Sequence, residues 1–346
     1  FAAVVRLKGL SSGLPLHTLY GENDTLAVLQ QMLYTGNLNP NQFVYPGLSY
    51  YLHLPFLYAF YWIGVWTGHF NEMTSVPQAS LLFVGRFVCA ILGTLTVVLI
   101  YRIGLHFGRA AAHTAMAILA ASPQHIEFSH MLRPAVPAVF FAIASVYVAL
   151  SLSQHPTTRR ALLMGVLAGA SFSVKYTIGL PLIITIALGL WFYRKDLKPL
   201  AFFAAPVGFL IAFIASNPYI IGNPSAILPW IQKLDSYYQP MEDYYERNVV
   251  SFYVLYLVRY NYQLPLILLS LAGLIVAYIK SRRAALLTSI YPIAVFIWLC
   301  TFDVRRVQEL LPLHPFIGLW AGIALDSVWN TAVKRRRSNV ITAGYL

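Results

Sequence analysis

The chain has 346 residues, of which 58% are hydrophobic and only 10% charged, with 24 lysines and arginines against 12 acids. A soluble domain carries about 25% charged residues, so this composition excludes an ordinary soluble fold and points to an all-α polytopic membrane protein. The net charge of +12 does not signal nucleic acid, because the cations sit in short clusters between apolar runs, at 159–160, 194–198, 280–283 and 334–337, as positive-inside sorting requires.

In chain order, "FAAVVRL" is expected to be the last turns of a first, truncated span. The loop after it, 8–79, contains "ENDTLAVLQQML", which reads as a helix with Asn23 or Asp24 as its cap and Leu26, Leu29, Met32 and Leu33 at helical spacing. The apolar stretch 45–66 is long enough to cross a bilayer. A crossing there, however, would put the loop before it and every later basic cluster on one side. Held at the surface, 45–66 leaves all the clusters inside, and its Pro46, His53, Pro55 and five tyrosines suit an interfacial or re-entrant helix. Further spans are expected near 80–101, 110–122, 134–153, 161–174, 176–193, 199–216, 263–280, 285–301 and 310–328.

The expectation is thus about ten transmembrane helices in a single membrane domain, 1–346, placed in the cytoplasmic (inner) membrane with both termini cytoplasmic. Two long extracytoplasmic loops, 8–79 and 217–262, carry interfacial helices. Ten of the twelve acids fall on that outer face: Glu22, Asp24, Glu72, Glu127, Asp235, Glu242, Asp243, Glu246, Asp303 and Glu309. Loops this long inside a compact protein tend to be functional, so the chemistry is expected there. Cys89 and Cys300 lie in apolar runs and form no CxxC motif.

Four segments carry residues with chemical reach. Glu22 and Asp24 read either as first-turn acids favoured by the helix dipole or as a general base or metal ligand above a membrane cavity. In "SPQHIEFSHMLRPAVP", His125, Glu127, His130 and Arg133 fall within nine residues. His-x-Glu and His-x4-His spacings hold metals, and a polar loop capped by Arg133 at the bilayer surface is the plainer reading. Glu22, Asp24, Glu127 and His130 are accordingly the metal-ligand candidates. Lys175 and Tyr176 interrupt an apolar stretch, so the lysine must snorkel or face a polar cavity. Arg259, Arg305 and Arg306 sit in outer-face segments and can clamp a phosphate or pair with Asp303 and Glu309.

The ordered set "TGNLNP", "YPGLSYYL", "GRFVCAILGTLTVVLIYRIG", "SPQHIEFSH", "GVLAGASFSVKYTIGL", "SNPYIIGNP" and "LLPLHPF" resembles the bacterial dolichyl-phosphate-mannose protein mannosyltransferase-like proteins, glycosyltransferases of the GT-C fold. That resemblance implies a polyprenyl-phosphate-linked sugar as donor, often a divalent metal, and inverting transfer to an acceptor at the extracytoplasmic face. It implies a catalytic carboxylate among Glu22 and Asp24, and a donor-phosphate site drawn from Arg133, Lys175, Tyr176, Arg259, Arg305 and Arg306. Members usually carry Asp, often Asp-Glu, early in the first loop, and Asp-Val-Pro where this chain reads Ala135-Val136-Pro137. Relatives also have Arg-Tyr before Leu-Leu-Pro where this chain has Gln308-Glu309. The missing carboxylate at Ala135 keeps open the alternative of a catalytically degenerate relative serving as a structural or assembly subunit of a larger membrane complex. Membrane lipids and a lipid-linked sugar are the expected partners in the first case, other membrane subunits in the second, and nucleic acid in neither.

The topology makes a direct prediction. Asn37→Cys and Glu72→Cys are expected to react with a membrane-impermeant maleimide in intact cells, and Lys195→Cys and Arg282→Cys only after the membrane is opened. The reverse pattern would invert the orientation.

Overall fold

The computed structural model describes residues 1–16, 21–236, 248–302 and 305–343. Glu242, Asp243, Glu246 and Asp303 lie outside these residues, as do the side chains of Asp235 and of the basic run 334–337. All regular structure among the described residues is helical, as the composition requires.

Helix α1 (Ala2–Leu7) leads into the first long loop, which contains α2 (Glu22–Thr35), α3 (Leu48–Tyr51) and α4 (Leu54–Trp66). There follow α5 (Gln78–Gly104), α6 (Arg109–Ala120), α7 (Pro123–Ser129), α8 (Ala135–Ser151) and α9 (Thr158–Val174). Next come α10 (Tyr176–Gly179), α11 (Leu182–Phe192), α12 (Leu200–Ser216), α13 (Pro218–Gly222) and α14 (Leu228–Ser236). The last group is α15 (Val249–Tyr256), α16 (Gln263–Lys280), α17 (Arg282–Leu299) and α18 (His314–Ala343).

Among the described residues, four stretches are long and apolar enough to cross a bilayer: Gln78–Gly104, Val249–Lys280, Arg282–Leu299 and Val307–Ala332. Ala135–Ser151, Tyr176–Phe192 and Leu200–Ser216 are shorter apolar helices. The count of ten spans therefore does not follow from the helices themselves. The expected segment 110–122 forms α6, whose 12 residues cover only about 18 Å at the α-helical rise. The run expected to begin at 263 instead continues back through a π-helical turn, Leu257–Tyr262, to α15. Helix α2 also starts earlier than its capping pattern suggested, because Gly21, at φ 79°, takes the cap.

Small residues bring the helix axes together. Gly165 and Gly169 of α9, four apart as in G-x-x-x-G pairs, face α12. A Cβ at Gly165 would lie 1.9 Å from Ala205 O, and one at Gly169 2.4 Å from Phe209 O. Helix α16 meets α18 the same way, with Gly273 against Trp320 O. Arg6, fully buried, donates to Leu119 O at 3.1 Å and Ala120 O at 3.2 Å. It thus meets the C-terminal carbonyls and negative dipole end of α6.

The first loop has a core of its own. Leu26, Leu29, Met32 and Leu33 of α2 pack with Tyr50, Leu54 and Leu57, and this cluster closes over Leu81 and Leu82 of α5 and over Leu132. Helix α4 leaves Phe56, Trp62, Ile63 and Trp66 exposed, and its 13 residues cover about 20 Å, short of the ~30 Å hydrocarbon core.

The α9–α12 crossing has no space for a side chain. Gly165→Val is expected to cost about 1–3 kcal/mol of stability. Gly222→Ala, where nothing lies within 4 Å of the added carbon, is expected to stay within about 0.5 kcal/mol. Unfolding in detergent, followed by thermal shift, checks both.

Candidate functional site

Where the first loop meets the helix ends, two buried ion pairs form. Glu22, 1% exposed, faces the fully buried Arg86 of α5. Arg86 Nη2 donates to Glu22 Oε2 at 2.5 Å and Nε donates to Oε1 at 2.9 Å, a two-point fork of the kind arginine makes best. The Leu132 N–H also donates to Oε1, at 2.7 Å. The other terminal nitrogen of Arg86 donates to Leu10 O at 2.8 Å and Ser12 O at 2.9 Å. The pair thus fastens the start of the loop and the start of α2 through Arg86, and the turn before α8 through Glu22. With both oxygens engaged and almost no exposure, Glu22 presents no face to a substrate.

Asp24 is different. It is exposed in the first turn of the same helix. Its charge acts on Tyr50: burial first, and then Tyr45, Tyr176 and Asp24, push the Tyr50 hydroxyl well above the usual phenol range, against a hydrogen bond from Ser49. Asp24 and Tyr176, distant in sequence, both lie within electrostatic reach of Tyr50. Arg133, half-buried, lies over the start of α2, where a Cβ on Gly21 would fall 2.9 Å from its Cζ.

The second pair is Lys175 and Glu309, Nζ to Oε1 at 2.5 Å, both buried. Thr177 Oγ1 donates to the other oxygen, Oε2, at 3.1 Å. Lys175 stands at the break between α9 and α10, and Glu309 in the 3-10 segment Val307–Leu313. The lysine therefore does not snorkel; its ammonium is engaged by Glu309. Glu309 meets Lys175, a partner on the far side of the bundle in sequence. Nearby, Asn217 Oδ1 accepts the Gly47 N–H at 2.7 Å, while Asn217 Nδ2 donates to Ser173 Oγ at 3.3 Å and Phe213 O at 2.8 Å. Gly47 is required there, since a Cβ would meet Ser216 O at 2.2 Å. The "YPG" and "SNP" segments are thus two halves of one joint.

The remaining candidates are dispersed. Arg259 is exposed on the π-helical turn. The Arg305 guanidinium lies 5.6 Å from the Phe252 ring, and the Arg306 N–H donates to Tyr253 Oη at 3.1 Å. Glu127 is exposed, within electrostatic reach of Tyr256. His130 Nε2 is 3.1 Å from Val5 O, and burial pushes its ring below the usual imidazole range. His125 Nδ1 accepts from Arg6 Nη2 at 2.9 Å. Glu22, Asp24, Glu127 and His130 do not converge, and among the described residues no group of three or more His, Cys, Asp or Glu could hold a metal ion. With Glu22 spent on Arg86, this donor set does not fit a divalent cation.

Arg86 was absent from the sequence candidates, although a lone cation in an apolar helix is the signal that should have flagged it.

Residues 73–220 match the family model for dolichyl-phosphate-mannose-protein mannosyltransferase, so the resemblance read from the sequence stands over that stretch. The structure is similar over 94% of its length to the crystal structure of ArnT from Cupriavidus metallidurans bound to undecaprenyl phosphate, with a TM-score of 0.62 and 19% identity. It is also similar, over 98% of its length, to the archaeal oligosaccharyltransferase AglB from Archaeoglobus fulgidus in complex with an inhibitory peptide and a dolichol-phosphate, with a TM-score of 0.56 and 15% identity. The chain has the GT-C fold. It spans 58% of that ArnT chain and 51% of that AglB chain. No curated protein matches the chain by sequence. Within the GT-C frame, the joint at Gly47 and Asn217 and the clamp at Glu22 and Arg86 are what hold the first loop onto the helix ends.

Removing one member of a buried ion pair costs about 3–5 kcal/mol. Arg86→Met is expected to lose stability on that scale, and Asp24→Asn to change it by less than about 0.5 kcal/mol. Denaturation in detergent micelles measures the difference.

Proposed function

We propose that the protein is a membrane glycosyltransferase that moves a sugar from a polyprenyl-phosphate-linked donor to an acceptor at the extracytoplasmic face, with Asp24 as its working carboxylate. The observation that carries this reading is the contrast between the two acids of α2. Glu22 is closed off by Arg86 and Leu132, while Asp24 is exposed and acts on the same tyrosine as Tyr176. The GT-C fold supports the reaction class. Its two structural neighbours bound to undecaprenyl phosphate and dolichol-phosphate support a polyprenyl phosphate as leaving group.

In this reading Asp24 orients the acceptor nucleophile and takes its proton. The nucleophile attacks the anomeric carbon opposite the phosphate, the new glycosidic bond forms as the carbon–oxygen bond to phosphate breaks, and the anomeric centre inverts. The phosphate departs with the bonding pair on its lipid. Lys175 and Tyr176 supply the charge-assisted donors for it, and Arg133, Arg259, Arg305 and Arg306, which lie apart from this pair, are the further cations of the outer face. Membrane lipid surrounds the protein, which sits in the inner membrane with both termini cytoplasmic.

A second reading, a degenerate relative acting as a complex subunit, has its own observation. Ala135 is buried at the start of α8 with no carboxylate.

Transfer of labelled sugar from a polyprenyl-phosphate donor by the purified protein tests the two. The first reading expects transfer, reduced about a hundredfold or more in Asp24→Asn. No transfer, together with stoichiometric co-purification with other membrane proteins, would favour the second.

A further inference from the structure

The Lys175–Glu309 pair raises a question that the proposed reaction leaves open. If Lys175 holds the lipid phosphate, its ammonium is already occupied. Glu309 Oε1 lies 2.5 Å from Nζ, and Thr177 Oγ1 holds Oε2 at 3.1 Å. A carboxylate whose two oxygens accept from an ammonium and a hydroxyl occupies the same donors that a phosphate oxygen pair would use. Both partners are buried, so water screens neither, and a second anion at the lysine would meet Glu309 as a like charge at close range.

We propose that Glu309 is the residue that sets access of the donor's lipid phosphate to Lys175: the phosphate binds by exchange, taking the positions on Lys175 and Thr177 that the Glu309 carboxylate holds in this structure. The inference rests on the reading of Lys175 as a phosphate ligand and adds to it a competitor built into the chain.

Three features favour exchange over a purely structural bridge. Glu309 sits in a 3-10 segment, Val307–Leu313, whose backbone hydrogen bonding is weaker than that of an α-helix. Lys175 sits at a break between helices, with extended backbone at φ −152° and ψ 115°, rather than inside a rigid turn. The residue after it, Tyr176, has a buried hydroxyl with no hydrogen-bond partner, a polar group that folding alone does not satisfy and that an arriving anion can engage.

The test is equilibrium binding of undecaprenyl phosphate to the protein in phosphatidylcholine nanodiscs, with wild type, Lys175→Met, Glu309→Gln and Thr177→Val compared. Glutamine keeps the volume of Glu309 and removes its charge, so Glu309→Gln is expected to bind about tenfold tighter, the scale of one charged hydrogen bond. Thr177→Val loosens the competitor but also removes a donor, and is expected to fall between wild type and Glu309→Gln. Lys175→Met is expected to lose most of the binding. Unchanged or weaker binding in Glu309→Gln, with Lys175→Met still defective, overturns the exchange and leaves Lys175 as a ligand. Normal binding in Lys175→Met removes Lys175 from the phosphate site, and the exchange with it. If Glu309→Gln does not fold, Thr177→Val decides: binding no tighter than wild type overturns the proposal. Displacement of the lipid by inorganic phosphate at equal concentration overturns the assignment to a lipid-borne group.

Discussion

A guanidinium buried in an apolar helix obliges the rest of the chain to come to it. Arg86 lies in α5 with no exposure, and a cation there without a partner costs several kcal/mol. The chain answers with Glu22 and with the carbonyls of Leu10 and Ser12. That answer fixes where the first loop lands, where α2 begins and how the turn carrying Leu132 sits. Once those are fixed, the apolar face of α2 closes over Leu81 and Leu82, and Asp24 is carried to the open side of the same helix.

The two buried pairs divide the charged residues by task. Glu22 and Arg86 are joined at two points with a backbone amide as third donor, a geometry that leaves neither free to move. Lys175 and Glu309 are joined at one point, and among the described residues Thr177 makes the other hydrogen bond to the carboxylate. The first pair is built for position. The second is simpler to open, and stands where one helix ends and the next begins. Arg6 follows a third pattern, meeting the carbonyl end of α6 in place of a carboxylate.

Much of this fold was legible in the sequence because it is local. Unbroken apolar runs announced α5, α8 and α12 to within a few residues, and the leucine spacing announced α2. The number of crossings was less legible, since α6 is short and small-residue helices such as α9 pack by close approach rather than by hydrophobicity. The partners of buried charges were hidden for a different reason. Glu22 and Arg86 are 64 positions apart and Lys175 and Glu309 134, and nothing local marks which carboxylate a given cation will meet. Among the candidate residues, Glu22 and Asp24 look alike in sequence, and only burial separates them.

The account stands on Glu22 and Arg86 acting as one structural unit. A double-mutant cycle of Glu22→Gln, Arg86→Met and the pair together, read by denaturation in detergent, tests this most directly. The account predicts a double variant far less destabilised than the sum of the singles, with a coupling of about 2 kcal/mol or more, within the range measured for residues in contact. Additive losses would contradict it.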